Sequence, residues 1–291
     1  MSVAEARQAA SQNAPQNTQS GQAVTIPLSD PARPATLKVH LVNGGVTIRG
    51  TNRKDILIDG ESSDQRRRGR GVYVDGGGTF IVRGGRGRGD GSGSGRGDSS
   101  GLKRLTQSPG FSVESNNNEV ELSSSANGGS DFVIQVPTRT NLTLVTVNDG
   151  PIAVENVEGE IEVNSVNDSV TLTNVAGSVV ANAHNGFVKV VMTRLAGDKA
   201  MAFTSFNGNV DVTLPSSTRA NVKLRSDMGE IYTDFDVQVR PAGAVAQSAR
   251  GADGRIRIEV NRSIQGAVNG GGPEFEFRTF NGSIFLRKGA Q

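Results

Sequence analysis

Apolar residues recur along the middle of this chain with a nine-residue period. Ile152, Ile161, Val170, Val179 and Val188 are spaced nine apart without a slip, and Val154, Val163, Leu172, Ala181 and Val190 follow each of them by two. Val157, Val166, Val175 and His184 fill a third recurring slot, while Gly150, Gly159, Asp168, Gly177 and Gly186 precede the first apolar position. Self-similarity at a fixed period marks a repeat architecture. An apolar–x–apolar step sets two side chains on one face of a strand. Gly and Asn then supply the conformations that a tight corner needs. Nine residues are too few for a strand plus a helix.

The corners alternate. Asp149-Gly150, Asn167-Asp168 and Asn185-Gly186 lie 18 apart, with Glu158-Gly159 and Ala176-Gly177 between them. The repeat is therefore a coil of ~18 residues made of two nine-residue half-turns. This predicts an all-β fold, a single elongated parallel β-solenoid, with equivalent strands stacked about 4.8 Å apart. Its inward ladders would be Ile152/Val170/Val188 on one sheet and Ile161/Val179 on the other. An antiparallel meander is the competing arrangement, because Asn-Gly and Asp-Gly are hairpin signals. Strict equivalence of the apolar slots favours the solenoid.

The rhythm continues beyond this block. Asn43-Gly44 precedes Val46 and Ile48, Asn207-Gly208 precedes Val210 and Val212, Met228-Gly229 precedes Ile231, and Asn281-Gly282 precedes Ile284 and Leu286. Residues are inserted at Pro215-Ser216-Ser217, at about 240–253 and at 262–273. Alternation also predicts strands over 36–48, 55–58, 72–74, 80–82, 111–113, 120–122 and 132–136. Residues 1–22 are polar and small and read as a tail, leaving 23–291 as the β-solenoid domain. Within that domain an Arg/Gly-rich insert at about 84–104 is too polar to bury a core.

Composition agrees with strands. Val numbers 33 and Ile 13 against 14 Leu, and β-branched side chains suit a pleated surface. No apolar run approaches the ~18 residues of a membrane span. The chain has no Cys and two His, His40 and His184, which leaves little for thiol or imidazole chemistry. Net charge is +2, but ten basic and five acidic residues lie between Glu61 and Arg104. No charged and apolar leader is visible, but Ala4-Glu5-Ala6 fits a secretory cleavage pattern, which leaves two readings open, a leader removed or lying upstream of the assigned start, and a chance match.

The stretch from Asp131 to Val190, the segment PSSTRANVKLRSDMGEIYTDF and the terminal FEFRTFNGSIFLRK resemble a bacterial β-strand-repeat family, a domain of unknown function that bears an adhesin label. TLKVHLVNGGVTIRGTNRKDILI is similar to its opening strands. The resemblance implies a right-handed β-helix-like solenoid and an exported or envelope location, periplasmic or secreted. It implies no catalytic residues.

Candidate chemistry is sparse. Arg66, Arg67, Arg68, Arg70, Arg86, Arg88 and Arg96 form a basic Gly-rich run that could bind anions. Nucleic acid is disfavoured there, because only Tyr73 and Phe80 supply rings for stacking. The run also holds two Arg-Gly-Asp tripeptides and departs from the calcium-binding nonapeptide. A solvated loop is the simpler reading. The register points Glu160 and Glu162 outward beside Ser178 and Val180, and Ala153, Thr171 and Lys189 outward on the opposite sheet. No dense acid–base cluster results. Asp149 and Asp168 could offer oxygen ligands to calcium, but a turn role accounts for both. His184 is expected to pack by its ring at a corner. Together with the resemblance, this sparse chemistry implies a non-enzymatic envelope or surface protein, an adhesin-like binding or scaffolding solenoid with no cofactor or metal expected, whose partner is an envelope, surface or polysaccharide ligand. A β-helix carbohydrate-active enzyme, and anion or nucleic-acid binding through the Arg/Gly-rich loop, are the alternatives. Open solenoid ends would permit oligomers.

Overall fold

The computed structural model describes residues 22–62, 74–75, 78–79, 111–124, 129–148, 150–240, 247–250, 256–259 and 263–289. Among them the chain is strand and turn, with no helix. Through the central repeat the expected register holds. Ile152 pairs in parallel with Val170, Val170 with Val188, and Ile161 with Val179. All five are buried. The hairpin meander does not form in this stretch.

Two strand ladders enclose the core. In ladder A, Glu119–Ser124, Ala35–Asn43, Thr140–Asn148, Glu158–Ser165, the second half of Val170–Ala183, Met201–Asn207, Glu274–Asn281 and Ala220–Ser226 follow one another in parallel. In ladder B the order is Ser130–Pro137, Val46–Thr51, Ile152–Glu155, the first half of Val170–Ala183, Val188–Leu195, Val210–Leu214, Ile284–Lys288 and Ile231–Thr233. Each ladder-A strand and the ladder-B strand after it make one coil. We number these coils 1 to 8 in spatial order.

Two features correct the simple parallel solenoid. The sheet is mixed, because antiparallel strands close its ends. Phe111–Asn116 covers coil 1 in ladder A, and Asp55–Ser62 followed by Gln22–Pro27 covers it in ladder B. At the far end Ile264–Val268 and Val237–Arg240 extend ladder A beyond coil 8. The predicted insertion at 262–273 thus contains a capping strand. An outermost coil would otherwise leave rows of backbone N–H and C=O groups unpaired.

The second correction concerns order. Coil 2, residues 35–51, lies between coils 1 and 3, although 119–137 and 140–155 are consecutive in sequence. Coil 7, residues 274–288, lies in the same way between coil 6 and coil 8. At both places the chain must climb two coil levels, and the same turn does it. Thr140 Oγ1 donates to Pro137 O, and Thr218 Oγ1 donates to Pro215 O, each at 2.6 Å. Proline ends the strand by removing a ladder donor, and the threonine closes the turn.

Side chains from both ladders fill the interior. On ladder A, Val39, Leu144, Val163, Ala181, Phe203, Phe277 and Leu224 form one inward column. Small Ala181 stands beside Phe203, whose ring stacks on Phe277 at 5.2 Å. The third sequence slot divides by corner. Val157 and Val175 are buried, whereas Val166 and His184 are exposed. Asn156 and Asn174, at φ of 57° and 54°, turn the chain before the buried pair. Asn tolerates that left-handed conformation better than most residues.

Phe277 is fully buried in coil 7, and Phe280 in the same strand is exposed. Phe277→Ala should cost about 3–5 kcal/mol by loss of burial and creation of a cavity. Phe280→Ala should cost far less, and urea unfolding of the two variants measures the difference.

Candidate functional site

Among the described residues, six of the nine exposed large hydrophobic side chains lie at the corner that joins ladder A to ladder B. Register aligns Thr146, Ser165, Ala183, Ser205, Thr279 and Ser226 at the end of the ladder-A strands. Each is buried. The next position on coils 3 to 7 carries Val147, Val166, His184, Phe206 and Phe280, and the one after it Asn148, Asn167, Asn185, Asn207 and Asn281. Asn148, not Asp149, aligns with Asn167, because coil 3 has one more corner residue than the 18-residue spacing suggested.

Each column has its own physical cause. The buried hydroxyls answer the carbonyls of the turn. Ser165 Oγ donates to Asp168 O, Ser205 Oγ to Gly186 O, Thr279 Oγ1 to Gly208 O and Ser226 Oγ to Gly282 O, all at 2.8 Å. The last three bonds cross from one coil to its neighbour. Beside them the amides form a ladder. Asn167 Nδ2 donates to Asn148 Oδ1 at 3.2 Å, Asn185 Nδ2 to Asn167 Oδ1 at 3.0 Å and Asn207 Nδ2 to Asn185 Oδ1 at 2.9 Å. Glycine follows because the coils approach closely. A Cβ on Gly208 would lie 2.4 Å from Gly186 O, and one on Gly282 would lie 2.2 Å from Gly208 O.

The outermost column is a ridge. The rings of His184 and Phe206 stack at 5.0 Å and 8°, and those of Phe206 and Phe280 at 4.9 Å and 4°. His184 therefore packs by its ring, as expected. Val147, Val166, Phe206 and Phe280 are 38–44% exposed, and Met228 and Phe187 stand at the same corner, also exposed. The stacked rings turn their edges, not their faces, to solvent. The polar groups beside the ridge are largely bonded to one another, so covering this corner leaves few polar atoms without partners.

A second aromatic stack lies on the outer face of ladder B. Tyr232 stacks on Phe285 at 5.2 Å, and the Arg287 guanidinium lies 5.2 Å from the Phe285 ring. Arg287 Nε donates to Asp211 Oδ1 at 2.8 Å, and this bond holds the guanidinium above its ordinary pKa. Tyr232 donates to Glu230, which raises the phenol above its usual range.

The outward carboxylates form no comparable site. Glu160 and Glu162 do lie beside Ser178 and Val180 and line a shallow depression with Thr143. Glu160 is paired with the Lys199 ammonium, and Glu162 accepts from Asn164 Nδ2 at 3.4 Å. Ala153, Thr171 and Lys189 align on the opposite face. Among the described residues no group of three His, Asp or Glu side chains is placed to hold a metal ion. Arg66, Arg67, Arg68, Arg70, Arg86, Arg88 and Arg96 lie outside the described residues, as do both Arg-Gly-Asp tripeptides.

The corner carries a signal that the sequence reading passed over. Thr146-Val-Asn148, Ser165-Val-Asn167, Ser205-Phe-Asn207 and Thr279-Phe-Asn281 repeat hydroxyl, apolar residue and Asn. Its chemistry appears only when the coils are stacked. Thr279→Val keeps the shape but removes the donor to Gly208 O, and should cost about 1–3 kcal/mol in urea unfolding.

The sequence model of the family described as Toastrack DUF4097 matches residues 24–262. No curated protein matches the chain. Among solved structures, the chain is similar to a proposed cell adhesion protein from Clostridium sporogenes ATCC 15579, at 11% identity and a TM-score of 0.42, covering 93% of this chain and 100% of that one. It is also similar to a proposed adhesin from Bacteroides fragilis NCTC 9343, at 9% identity and a TM-score of 0.24, covering 93% of this chain and 98% of the other.

Proposed function

The chain belongs to the Toastrack DUF4097 family, and from that premise we propose that it is a non-enzymatic surface or envelope protein whose solenoid holds a binding edge in a rigid line. The central coils would follow the right-handed path usual for parallel crossovers. The observation that carries this reading is the ridge of Val147, Val166, His184, Phe206 and Phe280, spread over five successive coils. A row of apolar side chains held in register at an exposed corner is a feature of interaction surfaces. Stacked coils fix its spacing without flexible loops, so a partner meets a surface that is already ordered. The partner is a component of the envelope, the cell surface or its polysaccharide. Among the described residues no helix is long and apolar enough to cross a membrane.

Protease shaving of intact cells tests the location. The protein should be cleaved from the outside or released with the periplasm, and recovery only from the cytosol would overturn the proposal. Binding of purified protein to the cells' own envelope fraction tests the edge. The double variant Phe206→Ser, Phe280→Ser should fold and lose roughly tenfold in affinity, since two exposed anchors are removed. Unchanged binding would place the partner elsewhere on the solenoid.

A further inference from the structure

The structure assigns Asn281-Gly282 as a site of spontaneous deamidation, and assigns the amide ladder as what protects its equivalents. This inference does not depend on where the protein resides. Asn185-Gly186, Asn207-Gly208 and Asn281-Gly282 occupy equivalent corners of coils 5, 6 and 7. All three asparagines are exposed, and each glycine packs against its neighbouring coil. Local sequence therefore does not distinguish them. Their side chains differ. Asn185 is held at both ends, donating to Asn167 Oδ1 at 3.0 Å and accepting from Asn207 Nδ2 at 2.9 Å. Asn207 is held at its nitrogen by that second bond. Asn281 makes no side-chain hydrogen bond among the described residues, because the ladder stops at coil 6 and coil 8 offers Met228 in the same column.

The reaction needs a free amide. The Gly282 backbone nitrogen attacks Asn281 Cγ, a new C–N bond forms, and the Cγ–Nδ2 bond breaks. The departing nitrogen takes the proton from the backbone amide and leaves as ammonia. Water then opens the succinimide at either carbonyl and leaves aspartate or isoaspartate. Rotation of the side chain toward the backbone costs Asn185 two hydrogen bonds and Asn207 one, but Asn281 none. Two further Asn-Gly pairs among the described residues are restrained differently. The Gly44 nitrogen donates to Asn148 O at 3.2 Å, and Asn269 Nδ2 donates to Ser216 O and Thr218 O at 3.1 and 2.7 Å. An isoaspartate at 281 would lengthen the backbone where Gly282 already packs against Gly208 O. The product would therefore loosen coil 7, the coil inserted between coils 6 and 8.

Peptide mapping of the folded full chain, aged at mildly alkaline pH, tests the assignment. Asn281 should convert roughly tenfold faster than Asn207, the ratio that one neutral hydrogen bond can sustain, and faster still than Asn185. In concentrated urea the three rates should converge, because only folding separates them. Asn185→Ala removes the acceptor of Asn207 Nδ2, so conversion at Asn207 should rise toward the rate at Asn281. Equal rates in the folded protein, earlier conversion at Asn185 or Asn207, or no response of Asn207 to Asn185→Ala would each overturn the proposal.

Discussion

Every column in this protein follows from the short distance between hydrogen-bonded parallel strands, about 4.8 Å. Stacked coils bring each residue against the equivalent residue of the next coil. A position must therefore tolerate its own kind. Val and Ile do so in the core, Asn does so by donating and accepting through one amide, and flat rings do so by stacking. Glycine is required where backbone meets backbone, as at Gly208 and Gly282. Opposite charges stack favourably, as in the cross-coil pairing of Arg287 with Asp211 and of Lys223 with Glu276, whereas Arg225, in register with Arg278, is paired with Asp227 of its own coil.

Insertion of coils 2 and 7 gives the two ends a common logic. Coils 1 and 3, adjacent in sequence, leave a gap of one coil that a distant segment must fill, and coils 6 and 8 repeat the arrangement. Long-range pairing of this kind imposes a loop-closure cost before any contact repays it. In return coils 2 and 7 are each held between strands on two sides. The near end also carries Pro27 and Glu114 on its outermost strands. A proline and a charge on edge strands oppose further pairing.

The functional reading rests on the corner. Its hydroxyls and carbonyls, and the amides of coils 3 to 6, are bonded to one another, so the ridge stands on a polar layer that asks little of a partner. The outward carboxylates of ladder A do not offer the same convergence, since Glu160 is engaged by Lys199 at the rim of an open depression.

Much of this was legible in the residues themselves. Nine-residue spacing determined the coil, its inward columns and the outward direction of Glu160, Glu162 and Lys189, because strand alternation is a local property. The Ser/Thr–apolar–Asn tripeptide determined what the corners of coils 3, 4, 6 and 7 contain. Tertiary structure alone decided which corners touch. Phe280 lies beside Phe206 only because coil 7 is inserted next to coil 6, and nothing in the spacing between residues 207 and 281 encodes that step. The antiparallel caps were hidden for a related reason. A strand that closes an edge is chosen by the unpaired backbone it meets, and backbone hydrogen bonding leaves no side-chain period to read.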